Sequence, residues 1–167
     1  MRRLLGILTI FAAVSVVAFG YYTRYRPDPA RYPVQGIDVS HHQNTIRWGE
    51  VAADGIAFAY IKATEGGSYK DERFDDNWKA SRAAGLVRGA YHFYSFCRGA
   101  DAQAKNFIAN VPKEAGALPP VLDLEFGGNC DRRPPTDEVR QSLETMAALL
   151  EAAYGSRPVL YVTREFL

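Results

Sequence analysis

Apolar residues in this chain recur with two periods that alternate from residue 34 onward. Short apolar or alternating runs at 34–40, 56–63, 86–96, 118–126 and 157–163 read as strands. Between them, 44–53, 73–84, 101–111 and 136–154 repeat apolar residues at helical spacing. Gly55, Gly85 and Gly155 each stand just past a helical stretch, where a left-handed residue closes the last turn. Asn44 or Thr45 is the expected N-cap of the first helix and Thr136 that of the last. Asp137 and Glu138 in the last helix's first turn complement its dipole. Val139, Leu143, Met146, Leu150 and Ala153 give that helix one apolar face. Alternating strands and helices predict an α/β fold with a parallel sheet and right-handed crossovers. Functional residues of such folds gather at the carboxyl ends of the strands.

The N-terminus follows a different pattern. Arg2 and Arg3 precede an uncharged, mostly apolar run over residues 4–20, and Tyr21, Tyr22, Arg24 and Arg26 follow. A basic start and an apolar centre describe an export signal, and Val16-Val17-Ala18 is a tolerable cleavage site. The run is also close to the roughly 17–25 residues that span a bilayer, with tyrosines at the interface. Residues 1–25 are therefore a signal or a membrane anchor. Either places the rest in the cell envelope, outside the cytoplasmic membrane. The Pro-rich stretch 26–33 reads as a linker, leaving 34–167 for one domain. No element follows the last strand to cover its edge, so this domain is expected to be C-terminally incomplete.

Composition narrows the class. With 47% hydrophobic and 23% charged residues the chain is not broadly disordered. Twenty basic against 19 acidic residues leave no electrostatic footprint for nucleic acid. Two cysteines exclude a disulfide-scaffold protein and a four-cysteine zinc site.

The chemistry collects at strand ends. Asp123 and Glu125 stand two apart in PPVLDLEF, so a strand points both to one face. Their apolar neighbours hold them beside a low-dielectric interior, where two close carboxylates cannot both ionise cheaply. A raised pKa on one of them is what a general acid beside an ionised partner requires. The alternative is a solvated face with two ordinary acids. Asp38 in GIDVSHHQ is a third acid at a strand end, followed by His41 and His42. Adjacent loop histidines point apart, so no metal site is expected. His92 in YHFY reads as a hydrogen-bonded core or wall residue. Lys62 and Glu65 in KATEG are placed to pair at a pocket mouth. Tyr60, Tyr91, Phe93 and Tyr161 add aromatic faces of the kind on which sugar rings stack; core packing is the competing role, most of all for Phe93.

GIDVSHHQ, then IKATEGGSYKDERFDDNWKASRAAGLVRGAYHFY, then LPPVLDLE resemble the family 25 glycoside hydrolases, the Chalaropsis-type lysozymes or N-acetylmuramidases. The resemblance runs from about residue 34 to the chain's end. It implies a flattened, irregular, TIM-like β/α barrel that cuts the β-1,4 bond between N-acetylmuramic acid and N-acetylglucosamine in peptidoglycan. It makes Glu125 the proton donor, and Asp123 the residue that orients the substrate acetamido group or stabilises developing charge. Asp38 matches the family's first acid, and Tyr91 and Tyr161 its substrate-site tyrosines; Lys62, Glu65 and Phe93 join them as substrate-binding candidates. Peptidoglycan glycan strands are the expected partner of a monomer, with the membrane a second partner if the N-terminal segment is retained. No cofactor is required.

Strand geometry puts the two acids about 6.5–7 Å apart at the backbone. That lies between the spacing of a carboxylate nucleophile and that of an inverting water, and a third route uses the substrate's own N-acetyl oxygen. The family's domain is longer and brings further strands and another acid, whereas five strands cannot close an eight-stranded barrel. A non-catalytic peptidoglycan-binding or assembly protein on the same scaffold is the alternative, and a chitin-directed barrel glycosidase a third reading. Cys97 and Cys130 follow neighbouring barrel strands, so a disulfide joining two active-site loops is expected.

Overall fold

A computed structural model describes residues 14–15, 19–20, 27–128 and 130–164. The expected signal or anchor over 1–25 lies outside the described residues, save those four positions. Among the described residues no helix is long and apolar enough to cross a membrane. The chain divides into two compact units, residues 1–34 and 35–167. In the first, the expected linker makes one turn, in which the Asp28 carbonyl accepts from the Arg31 and Tyr32 amides.

The second unit is a curled, mostly parallel sheet backed by helices. Its strands are β1 (Gln35–Val39), β2 (Ile56–Glu65), β3 (Tyr69–Lys70), β4 (Val87–Phe93), β5 (Val121–Leu124) and β6 (Val159–Val162). Its helices are α1 (Trp48–Ala53), α2 (Phe74–Ala83), α3 (Ala100–Asn110) and α4 (Thr136–Tyr154). The strand order is β1-β2-β4-β5-β6, all parallel, with β3 antiparallel on β2. This is half of a β/α barrel, as the alternation of periods predicts.

Three local details depart from the expectations. The first helix does not start at Asn44 or Thr45. Ser40 and Gln43 form a reciprocal capping box that winds a 3-10 turn over His41–Gln43, Asn44 takes a left-handed φ of 54°, and α1 begins only at Trp48. Thr136 is the first residue of α4 rather than its cap, because Pro135 holds the extended N-cap conformation. The hairpin partner β3 is absent from the pattern reading, since two residues are too few to show a period.

Outward residues of the sheet, among them Ala59, Ile61, Ala90, Leu122 and Leu124, pack with Phe74, Trp78, Phe107, Met146 and Leu150 of the helices as one buried core. A bulge interrupts β2: Lys62 pairs with Tyr91, but Thr64 pairs with His92. The extra residue flips the alternation, so Lys62 stays on the inner face while Thr64 turns outward with His92. There Thr64 Oγ1 lies 2.7 Å from His92 Nδ1, and His92 Nε2 lies 3.1 Å from Gln103 Oε1. Gln103 Oε1 also accepts from the Ser95 amide, which makes it the acceptor throughout. His92 therefore carries its proton on Nε2 and accepts from the Thr64 hydroxyl. Burial pushes its pKa down to about 4, so it stays neutral, a core histidine as expected.

On the inner face two glycines make room for aromatic rings. Gly36 of β1 lies under Phe58, and Gly89 of β4 under Tyr60; a Cβ at either position would come within 2.1 and 2.2 Å of ring carbons. The rings fill the barrel floor, and Tyr60 donates to the Pro119 carbonyl at 3.2 Å. Gly89→Ala should displace Tyr60 and cost about 1–3 kcal/mol, the usual range for overpacking. A lower urea midpoint at unchanged m-value is the expected result; an unchanged midpoint would show that the ring has space to yield.

Candidate active site

The parallel register brings the predicted residues to one end of the sheet. Asp38 lies near the end of β1, Tyr91 and Phe93 at the end of β4, and Asp123 on β5. Phe93 pairs with Asp123, and Asp123 with Tyr161 of β6, so three candidates form one row across three strands. Glu125 is the first residue past β5. Asp38, Tyr60, Tyr91, Asp123, Glu125 and Tyr161 all line a single groove of about 350 Å³, whose remaining walls include Phe58 and Val121.

Electrostatics tie these groups together. The Asp123 carboxyl is pushed up to about 7, first by burial and then by the Glu125 and Asp38 carboxylates, with the Lys62 ammonium opposing them. Asp123 Oδ1 is buried and, among the described residues, has no hydrogen-bond partner. The sequence reading expects one carboxyl of the pair to be held high, and Asp123 is held so. Tyr91 is also raised, first by burial and then by Asp38, Asp123 and Asp71, while a hydrogen bond with Ser40 works the other way. Tyr161 is raised by what burial it has and by Glu125, Asp123 and Asp38. It is 54% exposed on β6.

Lys62, Glu65 and Phe93 do not line this groove but cluster beside it. Lys62 Nζ lies 2.6 Å from Glu65 Oε2, the expected pair, and 4.8 Å from the centre of the Phe93 ring. His41, a conceivable metal ligand from sequence, instead sets Nδ1 2.8 Å from Asp71 Oδ2. Asp71 was not a candidate from the pattern, where it reads as an ordinary acid before a helix. It is 1% exposed and accepts from the backbone amides of His41 and Arg73, so it ties the turn after β1 to the start of α2. No period marks such a residue; its role rests on a contact across 30 positions.

The segment after Glu125 is fastened to the segment after β4. Cys97 and Cys130 form the expected disulfide, with Cα atoms 5.8 Å apart and 33 positions between them. In a chain-entropy estimate a loop of that size stabilises by about 3–4 kcal/mol. The Phe96 and Phe126 rings lie 5.2 Å apart, and Arg132 Nη1 donates to the Phe96 carbonyl at 3.4 Å.

Comparison with known proteins agrees with this geometry. The profile of glycosyl hydrolases family 25 matches residues 37–167. Lysozyme M1 of Streptomyces globisporus is 49% identical over 137 residues, covering 78% of this chain and 46% of that protein. The uncharacterized protein YegX of Escherichia coli (strain K12) is 37% identical over 161 residues, covering 89% of this chain and 58% of its own length. The chain thus spans about half the length of these two curated relatives. A family 25 glycosyl hydrolase structure from Bacillus anthracis superposes with a TM-score of 0.79 at 41% identity, over 84% of this chain and 64% of that one. Strand order, inward acids and match over residues 37–167 converge on one assignment: this chain belongs to the glycosyl hydrolases of family 25.

Proposed function

We propose that this protein is a peptidoglycan muramidase, acting in the cell envelope on the β-1,4 bond between N-acetylmuramic acid and N-acetylglucosamine. The observation that carries the reading is the set of three carboxylates, Asp38 of β1, Asp123 of β5 and Glu125 just past β5, in one aromatic-walled groove. Similarity to a protein named lysozyme supports the same substrate. Glu125 gives its proton to the leaving glycosidic oxygen. The substrate's acetamido carbonyl oxygen closes on C1 as that bond breaks, and water then opens the ring so formed, returning the proton to Glu125. Asp123, whose buried Oδ1 is free to bond substrate, holds the acetamido N–H and balances the positive charge that develops. Asp38 adds negative potential at the sugar, Tyr91 and Tyr161 offer stacking faces, and Lys62, Glu65 and Phe93 shape the rim. The N-terminal segment serves as export signal or anchor, and the protein acts as a monomer without metal or cofactor.

The test is digestion of purified peptidoglycan, with products read for new reducing ends on muramic acid. Their appearance with the parent and absence with Glu125→Gln supports the reading. A folded parent that yields none while co-sedimenting with the wall points to the second reading, a glycan-binding module.

Asp123 makes the reading pH-sensitive. The acid pair works with one proton between its members, and the last proton leaves near pH 7. The kcat/KM profile should fall above about pH 7, as the pair loses the one proton that Glu125 delivers; a profile unchanged from pH 6 to pH 8 would show that the pair does not share that proton. Stability carries the same signature. The folded protein holds this proton up to about pH 7, the unfolded chain only to about pH 4, so stability falls as pH rises between these values. Asp123→Asn should therefore raise Tm more at pH 8 than at pH 4.

A further inference from the structure

Glu125 lies outside the β-ladder, in a connection that runs from residue 125 to residue 135 before α4 begins. Gly127 and Gly128 of that connection both take positive φ, at 116° and 75°, where the backbone lacks the restraint that a side chain imposes. Strand pairing therefore holds this residue from one side only, through Leu124 of β5, and the anchorage of its loop must hold it from the other. Among the described residues that anchorage includes a covalent member, the Cys97–Cys130 bridge, together with the Phe96–Phe126 ring contact and the Arg132 bond to the Phe96 carbonyl. All three join the acid's loop to residues 96 and 97.

The receiving segment is rigid. The side-chain amide of Gln103, fully buried on α3, accepts from the Ser95 amide and donates to the carbonyls of Ser95 and Arg98. Its oxygen also takes the His92 proton, which ties the segment to β4 and, through Thr64, to β2. Cys97 is thus flanked on both sides by backbone that the core holds in place, while Cys130 belongs to a loop with hinge-like glycines. Covalent linkage passes the order of the first to the second.

We infer that the Cys97–Cys130 disulfide is a positioning element for Glu125, so that opening it lowers turnover while glycan binding and the fold persist. The inference rests on the muramidase reading for its kinetic consequence but not for its structural one. Cys97 lies in an exposed segment, within reach of a reductant, whereas Cys130 is 6% exposed. A phosphine reduces the bridge to two thiols and is itself oxidised to the phosphine oxide. Binding surfaces on β1, β4 and β6 do not pass through the bridge, so KM should be spared.

The experiment compares the oxidised protein, the phosphine-reduced and alkylated protein, and the Cys97→Ser/Cys130→Ser double variant, at a temperature where near-UV circular dichroism shows all folded. Expected is a fall in kcat of about 10–100-fold with KM within about twofold, since an ångström of misplacement at the reacting group costs that much. Re-oxidation of reduced, unalkylated protein should restore kcat. A second readout needs no activity: the carbon-13 carboxyl titration of Asp123. Glu125 is one of the groups holding that carboxyl high, with Asp38 acting the same way and Lys62 against it. Withdrawal of Glu125 should move the Asp123 midpoint down from about 7. Unchanged kcat together with an unmoved midpoint would overturn the inference, as would loss of the near-UV signal at every temperature on reduction, which would make the bridge a requirement of the fold. Absence of product from the folded, oxidised protein would instead count against the muramidase reading, and the titration would still decide the positioning role.

Discussion

Glu125→Gln should lower muramidase turnover by about 10²–10⁴-fold, the usual contribution of a general acid, while leaving Tm within a few degrees. The amide keeps the shape of the side chain but has no proton acidic enough for the leaving oxygen. Turnover should fall more than KM rises, because the proton is transferred only as the bond breaks. Asp123→Asn is the instructive companion. It retains a group that can bond substrate but cannot offset positive charge, so turnover should fall while KM changes little. Assay of soluble muropeptides at pH 5 and pH 8 checks both. A Glu125→Gln protein with more than a tenth of parental turnover would exclude Glu125 as the donor.

Phe107→Ala should destabilise the domain by about 3–5 kcal/mol, the range for removing a buried phenylalanine. Phe107 is fully buried on α3, with its ring edge-on to His92 of β4 at 6.2 Å and to Tyr154 of α4 at 5.7 Å. It joins the strand that carries Tyr91 to the helix that follows the acid's loop. Its loss leaves a cavity among residues held by other bonds: His92 by Thr64 and Gln103, Tyr154 by the Val111 carbonyl at 2.9 Å. Collapse into the space is therefore restricted, which places the cost in the upper part of the range. Urea denaturation at 25 °C measures it; a loss below about 1 kcal/mol would mean that α4 slides in to fill the gap.

The elements of this protein were largely legible because its helices and strands differ in period and because glycines stand at the helix ends. Gly85 and Gly155, with φ of 87° and 76°, stop α2 and α4 where the sequence places the stops. The pairing of Lys62 with Glu65 also follows from local sequence. The 3-10 turn after β1 was not legible, since Ser40-x-x-Gln43 and Asn44 both carry capping chemistry and only the fold selects between them.

The site divides along the same line. The sequence alone determined that Asp123 and Glu125 share a face, because alternation along a strand is a property of one chain segment. It also placed Asp38 near the end of a strand in a parallel sheet. Only the tertiary structure decided that Asp123 is pushed up to about 7, because desolvation depends on what the rest of the chain packs around its oxygens. It likewise decided that the bulge in β2 keeps Lys62 inside while Thr64 turns away, and that Asp71, 30 positions from His41, fixes the turn beside the groove. Periodicity reports the direction in which a side chain leaves its own backbone; burial, charge coupling and long-range anchorage are properties of the neighbours, which only folding supplies.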